Sequence, residues 1–92
     1  MKLFKLDDGC AECHVISAGL QPDHIFGIEG VRDYYCNYTD EEMIENVKIT
    51  EINENEKFDI TFDEYNPIKI KHTVREWIAI YDKQMIICQS ER

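Results

Sequence analysis

Basic residues are scarce in this chain. Its 92 residues hold 10 Lys and Arg against 19 Asp and Glu, for a formal net charge of −9. Direct binding to a phosphate backbone needs clustered Lys and Arg, and so does docking on an anionic membrane; both are excluded as expectations. Long apolar runs are missing as well. No stretch approaches the about 18–20 apolar residues of a spanning helix. Glycine (4) and proline (2) are too few for a low-complexity or linker-rich chain. No Gly-rich phosphate loop, nucleophile elbow or His-Glu-x-x-His string occurs, so no catalytic motif stands out. The opening Met1-Lys2-Leu3-Phe4-Lys5-Leu6-Asp7-Asp8 lacks the apolar core and small-residue cleavage site of a signal peptide. A cytoplasmic protein is the expectation.

What is present is enough for one thin core. Apolar residues make up 43% and aromatics 11%. Ninety-two residues allow a single domain, 1–92, burying roughly 60% of the surface that its unfolded chain exposes.

The acidity is uneven. Residues 40–64 hold ten acids, Asp40, Glu41, Glu42, Glu45, Glu51, Glu54, Glu56, Asp59, Asp63 and Glu64, against Lys48 and Lys57, net −8. Residues 1–39 are net −3 and residues 65–92 net +2.

Periodicity predicts an α+β domain, an antiparallel sheet of about four or five strands with two helices. Residues 2–6 and 14–17 read as short strands around an Asp8-Gly9 turn. Residues 19–24 read as loop, 25–28 as strand or turn, and 31–36 as irregular or a short helix. Thr39 with Glu42 forms a capping box for a short helix over about 40–46. Val47 and Ile49 alternate with polar residues, as do Phe58, Ile60 and Phe62 beyond a polar turn at 53–56. These two segments predict one antiparallel hairpin with a wet face. Ile68, Ile70 and His72 predict a third strand. Thr73 and Glu76 repeat the capping box. Val74, Trp77, Ile78 and Tyr81 then line one face of a C-terminal helix, about 74–82, packed on the sheet. Met85 to Gln89 predicts the last strand.

Cys10-Ala11-Glu12-Cys13-His14 is the sharpest local string. Read literally it is a haem attachment site, which needs an oxidising compartment. A thiol-redox pair needs a helix after the first cysteine, and Val15-Ile16 reads as strand. Structural zinc fits better, with Cys10 and Cys13 as two ligands and others among His14, His24 and Cys36, although His72 and Cys88 are also available. The plainer alternative is four unlinked thiols with Cys36 and Cys88 buried. His72 reads as a hydrogen-bonded core or edge residue and Trp77 as core. Tyr34, Tyr35 and Tyr38 suit either an interface or packing beneath an irregular loop. Asp59 and Asp63 share a strand face but lie too exposed to act as an acid/base pair.

The functional expectation is a non-enzymatic binding protein. Its acidic stretch, with the helix start, the hairpin turn and the outer strand face forming one surface, would dock on a basic protein groove built for nucleic acid. In size, acidity and lack of enzyme motifs the chain resembles small phage-encoded inhibitors, the anti-CRISPR and anti-restriction proteins. That resemblance implies a nucleic-acid-handling partner in the host cytosol. The alternative is an accessory domain stapled by zinc at Cys10 and Cys13.

Overall fold

The chain folds as two small antiparallel sheets and four helices. A computed structural model describes residues 1–19, 21–62, 65 and 67–91. In chain order the elements are β1 (Lys2–Asp7), β2 (Ala11–Ser17), α1 (Pro22–Phe26), α2 (Val31–Tyr34), α3 (Asp40–Asn46), β3 (Lys48–Ile52), β4 (Lys57–Phe62), β5 (Ile68–Thr73), α4 (Val74–Tyr81) and β6 (Met85–Glu91). The α+β class holds. The strands form a four-stranded sheet in the order β3-β1-β2-β6 and a separate β4-β5 hairpin.

The four-stranded sheet is the middle of three layers. On β1 and β2, Phe4, Leu6, Cys13 and Val15 face one way, into a core with Ile25, Phe26, Ile28, Val31, Tyr35 and Met43 from the helices α1–α3. Leu3 and Ile16 face the other way, into a second core with Ile60, Val74, Trp77 and Ile87. Strands covered on both faces read as near-continuous apolar runs, which is what Leu3-Phe4 and Cys13–Ile16 are. A register shift between His14 and Val15 against β6 places an extra residue there, so that Ile87 and Cys88 both pack with the second core.

The expected pairing of residues 47–52 with 58–62 does not occur. β3 pairs with β1, Ile49 opposite Leu6, and β4 pairs with β5, Ile60 opposite Ile70. The side chains explain the split. Val47 and Ile49 serve the helical core, whereas Phe58 and Ile60 serve the core on the opposite face. One hairpin cannot send both strands' apolar rows to opposite sides of another sheet. An isolated two-stranded hairpin is marginal in water, and packing holds this one. Its Phe58 ring lies 4.4 Å from His14, and the Phe58 carbonyl accepts a 2.6 Å hydrogen bond from Trp77 Nε1.

Both capping boxes form. Thr39 and Glu42 close α3, and Thr73 and Glu76 close α4. α4 begins unusually well satisfied. The Val74 N–H donates to the Glu56 carbonyl, the Arg75 N–H to the Glu54 carbonyl, and the Glu76 N–H to Thr73 Oγ1. With the Thr73 N–H donating to Glu76 Oε1 in the capping box, all four orphan donors of a helix start are met. The helix ends on Asp82 at φ 48, a left-handed position that Asp tolerates.

Residues 22–26 are helix, where loop through residue 24 and then strand or turn were expected. Pro22 stands at the helix start, where its fixed φ suits the first turn and its missing N–H costs nothing. Within 31–36, the short helix is Val31–Tyr34.

Candidate functional site

Charge sorts by layer, and the layers cut across the sequence blocks. Residues 22–46, which build the helical layer, hold Asp23, Glu29, Asp33, Asp40, Glu41, Glu42 and Glu45 against Arg32 alone, net −6. Among the described residues of 57–81, the hairpin and α4 on the far side, Asp59 and Glu76 stand against Lys57, Lys69, Lys71 and Arg75, net +2. Most of the −9 therefore belongs to one side of the sheet.

The ten acids of residues 40–64 are dispersed accordingly. Asp40, Glu41, Glu42 and Glu45 lie exposed on α3. Glu51 is on β3, 3.2 Å from Lys2 Nζ. Glu54 and Glu56 form the β3–β4 turn at the start of α4, where Glu54 also meets Arg75 at 2.6 Å. Asp59 lies on the outward face of the hairpin, 3.8 Å from Lys71. Asp63 and Glu64 lie outside the described residues. The backbone carbonyls of Glu54 and Glu56 cap α4, the Glu54 carboxylate pairs with Arg75 and that of Asp59 with Lys71, so the single surface expected from the helix, turn and strand face is divided between two layers.

The helical layer gains what the hairpin lacks. Glu29 and Asp33 are exposed in the same layer, Glu29 beside β6, and neither was in the expected set. On α3, Met43 points into the core at 1% exposure while Ile44 stands 55% exposed among Asp40, Glu41 and Glu45. The sole arginine of the layer, Arg32, reaches Asp40 at 3.4 Å. Glu42 is held by its cap: the Thr39 N–H and hydroxyl keep its carboxylate below the usual range.

Three tyrosines pin this layer to the sheet. The Tyr35 hydroxyl lies 3.1 Å from the Leu6 carbonyl and 3.2 Å from that of Ala11. Tyr34 reaches the carbonyls of Glu12 and Ser90 at 3.0 and 2.9 Å. Tyr38 donates to Asp8 Oδ2, whose other oxygen accepts the N–H groups of Cys10 and Ala11. These hydroxyls are spent on the protein's own backbone and turn, which makes the tyrosines packing residues. Asp8 is kept below its ordinary pKa chiefly by the Ala11 N–H.

The Cys-x-x-Cys-His string does not fold as a knuckle. Cys10 is exposed in the β1–β2 turn, whereas Cys13 is fully buried in the helical core. Burial pushes the Cys13 thiol up to about 11. His14, next along the strand, faces the opposite layer and contacts Phe58. All four cysteines are free, with Cys36 exposed and Cys88 half-buried, not buried as the plainer alternative had them. Among the described residues, no group of three or more His, Cys, Asp or Glu is gathered to hold a metal.

One polar cluster lies on the second face of the sheet. Lys5 Nζ is 3.8 Å from Asp7 and 3.5 Å from Glu12, and His14 stands between Lys5 and Cys88 in register. Burial lowers the His14 pKa, and its Nδ1 is buried without a partner. Burial also raises the Cys88 pKa. A neutral imidazole beside a protonated thiol is not an activated nucleophile. His72 is half-buried, edge-on to Trp77 at 4.7 Å and 3.5 Å from Glu76, an edge residue as expected.

No protein-family model matches the chain, and no curated protein or solved structure matches it either. No helix among the described residues is long and apolar enough to cross a membrane.

Proposed function

We propose that this chain is a non-enzymatic binding protein whose acidic helical layer docks on a basic surface of a nucleic-acid-handling protein. The observation that carries the reading is the segregation of charge: net −6 in the helical layer, with an exposed Ile44 inside it, and +2 among the described residues of the hairpin layer opposite. A one-sided field steers the molecule so that the acidic side meets a basic groove first, and an apolar side chain amid the acids adds contact once water is expelled. The partner-binding set moves with it. Asp40, Glu41 and Glu45 stay from the sequence expectation, Glu29 and Asp33 join them, and the carboxylates of Glu54 and Asp59 pair with Arg75 and Lys71 within the chain. The molecule would act by occupying the groove and excluding nucleic acid, in the cytosol, without a catalytic step.

The test compares two charge-reversed variants on a purified partner identified by pull-down and mass spectrometry. One changes Asp33, Asp40, Glu41 and Glu45 to Lys; the other changes Glu51, Glu56 and Asp59 to Lys. Binding lost in the first and kept in the second, with DNA or RNA competing for the partner, is the expected outcome. Equal loss in both variants, or no competition by nucleic acid, would overturn it. The zinc alternative has no gathered ligand set among the described residues to support it.

A further inference from the structure

β6 is an edge strand, and the space beside it is shaped for another strand. In the order β3-β1-β2-β6 it pairs, among the described residues, only with β2. A groove of about 630 Å³ runs along it, with Glu29 and Gly30 on one wall and Lys83–Gln89 on the other. A second hollow of about 570 Å³ shares Glu29 and Gln84 and continues around α1. Gly30, at φ 89, keeps the wall bare: a Cβ there would come within 3.3 Å of Ile86 Cδ1. An added strand of about five residues spans about 17 Å and covers Met85–Gln89 in length.

The two faces of the sheet dictate what such a strand must carry. Side chains alternate along it. One row would lie on the side of the helical layer, beside Glu29, the acid that lines the groove. The other row would lie on the side of the second core, beside Ile87 and the half-buried Met85. Lys83, at the start of β6, is the one base among the lining residues. We infer that β6 accepts, by strand addition, an extended segment of the basic partner in which Lys or Arg alternates with apolar residues. Main-chain hydrogen bonds would give affinity, and the alternation would give specificity. The inference rests on the docking role of the acidic layer and adds where and in what conformation the partner binds.

The probe is a blocked decapeptide of alternating Arg and Val, titrated into the intact ¹⁵N-labelled chain. Two analogues carry N-methyl groups, one on every arginine and one on every valine, with charge unchanged. A strand that adds to one edge hydrogen-bonds through alternate residues only. The parent peptide is therefore expected to shift the amides of Met85–Gln89, one analogue to lose at least tenfold in affinity, and the other to keep it. Glu29→Lys, an exposed change, should weaken the parent peptide about fivefold. Equal binding by all three peptides would mean attraction by charge alone, overturning strand addition while leaving the acidic layer's role intact. Shifts confined to β3 or β5, or no binding by the parent peptide, would overturn it too. Failure of the acidic-layer reading itself would show instead in the charge-reversed variants described above.

Discussion

Tyr35→Phe is the sharpest probe of how the acidic layer is held. Tyr35 is 3% exposed, and its hydroxyl sits within hydrogen-bonding distance of the Leu6 and Ala11 carbonyls. One hydroxyl has one proton, so the group supplies one bond shared between two acceptors. Phenylalanine keeps the ring and its packing against Tyr34, 5.0 Å away, so the change removes the polar contact without opening a ring-sized cavity. The cost is one buried hydrogen bond plus part of the desolvation of a carbonyl left behind, together about 1–2 kcal/mol. At about 4–8 °C per kcal/mol for a domain of this size, the melting temperature should fall by about 4–16 °C. Urea denaturation followed by circular dichroism measures it, with an unchanged denaturant slope showing that the compactness of neither state moved. Tyr34→Phe, at a half-buried ring, should cost less than Tyr35→Phe. A Tyr35→Phe effect below about 0.3 kcal/mol would refute the view that these hydroxyls anchor the helical layer, since surface changes commonly fall within that range.

Thr39→Ala and Thr73→Ala should each destabilise the chain by about 1 kcal/mol, read in the same urea assay, because each removes a formed capping box. Stability should fall as pH drops below 6.5, the ordinary value of His14: its folded pKa lies lower, so the unfolded chain takes up the proton first. The fall should level off below the folded value. His14→Leu, which also removes the buried, unpartnered Nδ1, should flatten the stability profile just below pH 6.5 without loss at pH 7. Thiol labelling of the folded chain should modify Cys10 and Cys36 fast, Cys88 slowly, and Cys13 only on unfolding. Metal analysis of untagged protein should give less than about 0.2 zinc per chain, and near-stoichiometric zinc would restore the ligand role of Cys10 and Cys13.

The parts of this fold written in short-range code were legible. Thr39-Asp-Glu-Glu42 and Thr73-Val-Arg-Glu76 announce their helices through two side chains three residues apart, and the period-two run of Phe58 and Ile60 announces its strand. Which strands pair was not legible, because the pattern 47–52 and 58–62 looks the same whether the two apolar rows face one core or two. The clue was Leu3-Phe4 and Cys13–Ile16, apolar on both faces, which a sheet wet on one side would not need. Pro22 marked a helix start that the surrounding loop residues concealed. The acidic stretch was visible as composition, but its division was not. The Glu54 carboxylate is taken by Arg75 of α4 and that of Asp59 by Lys71, while Glu29 and Asp33, outside the stretch in sequence, share the helical layer with α3.

The claim that most needs a direct test is that the acidic helical layer is the surface that binds. Hydrogen–deuterium exchange on the chain, free and bound to its purified basic partner, reports this residue by residue. The account predicts protection concentrated in residues 29–46 and at the edge strand Met85–Gln89. Protection concentrated in Lys57–Thr73, with α3 unchanged, would contradict it.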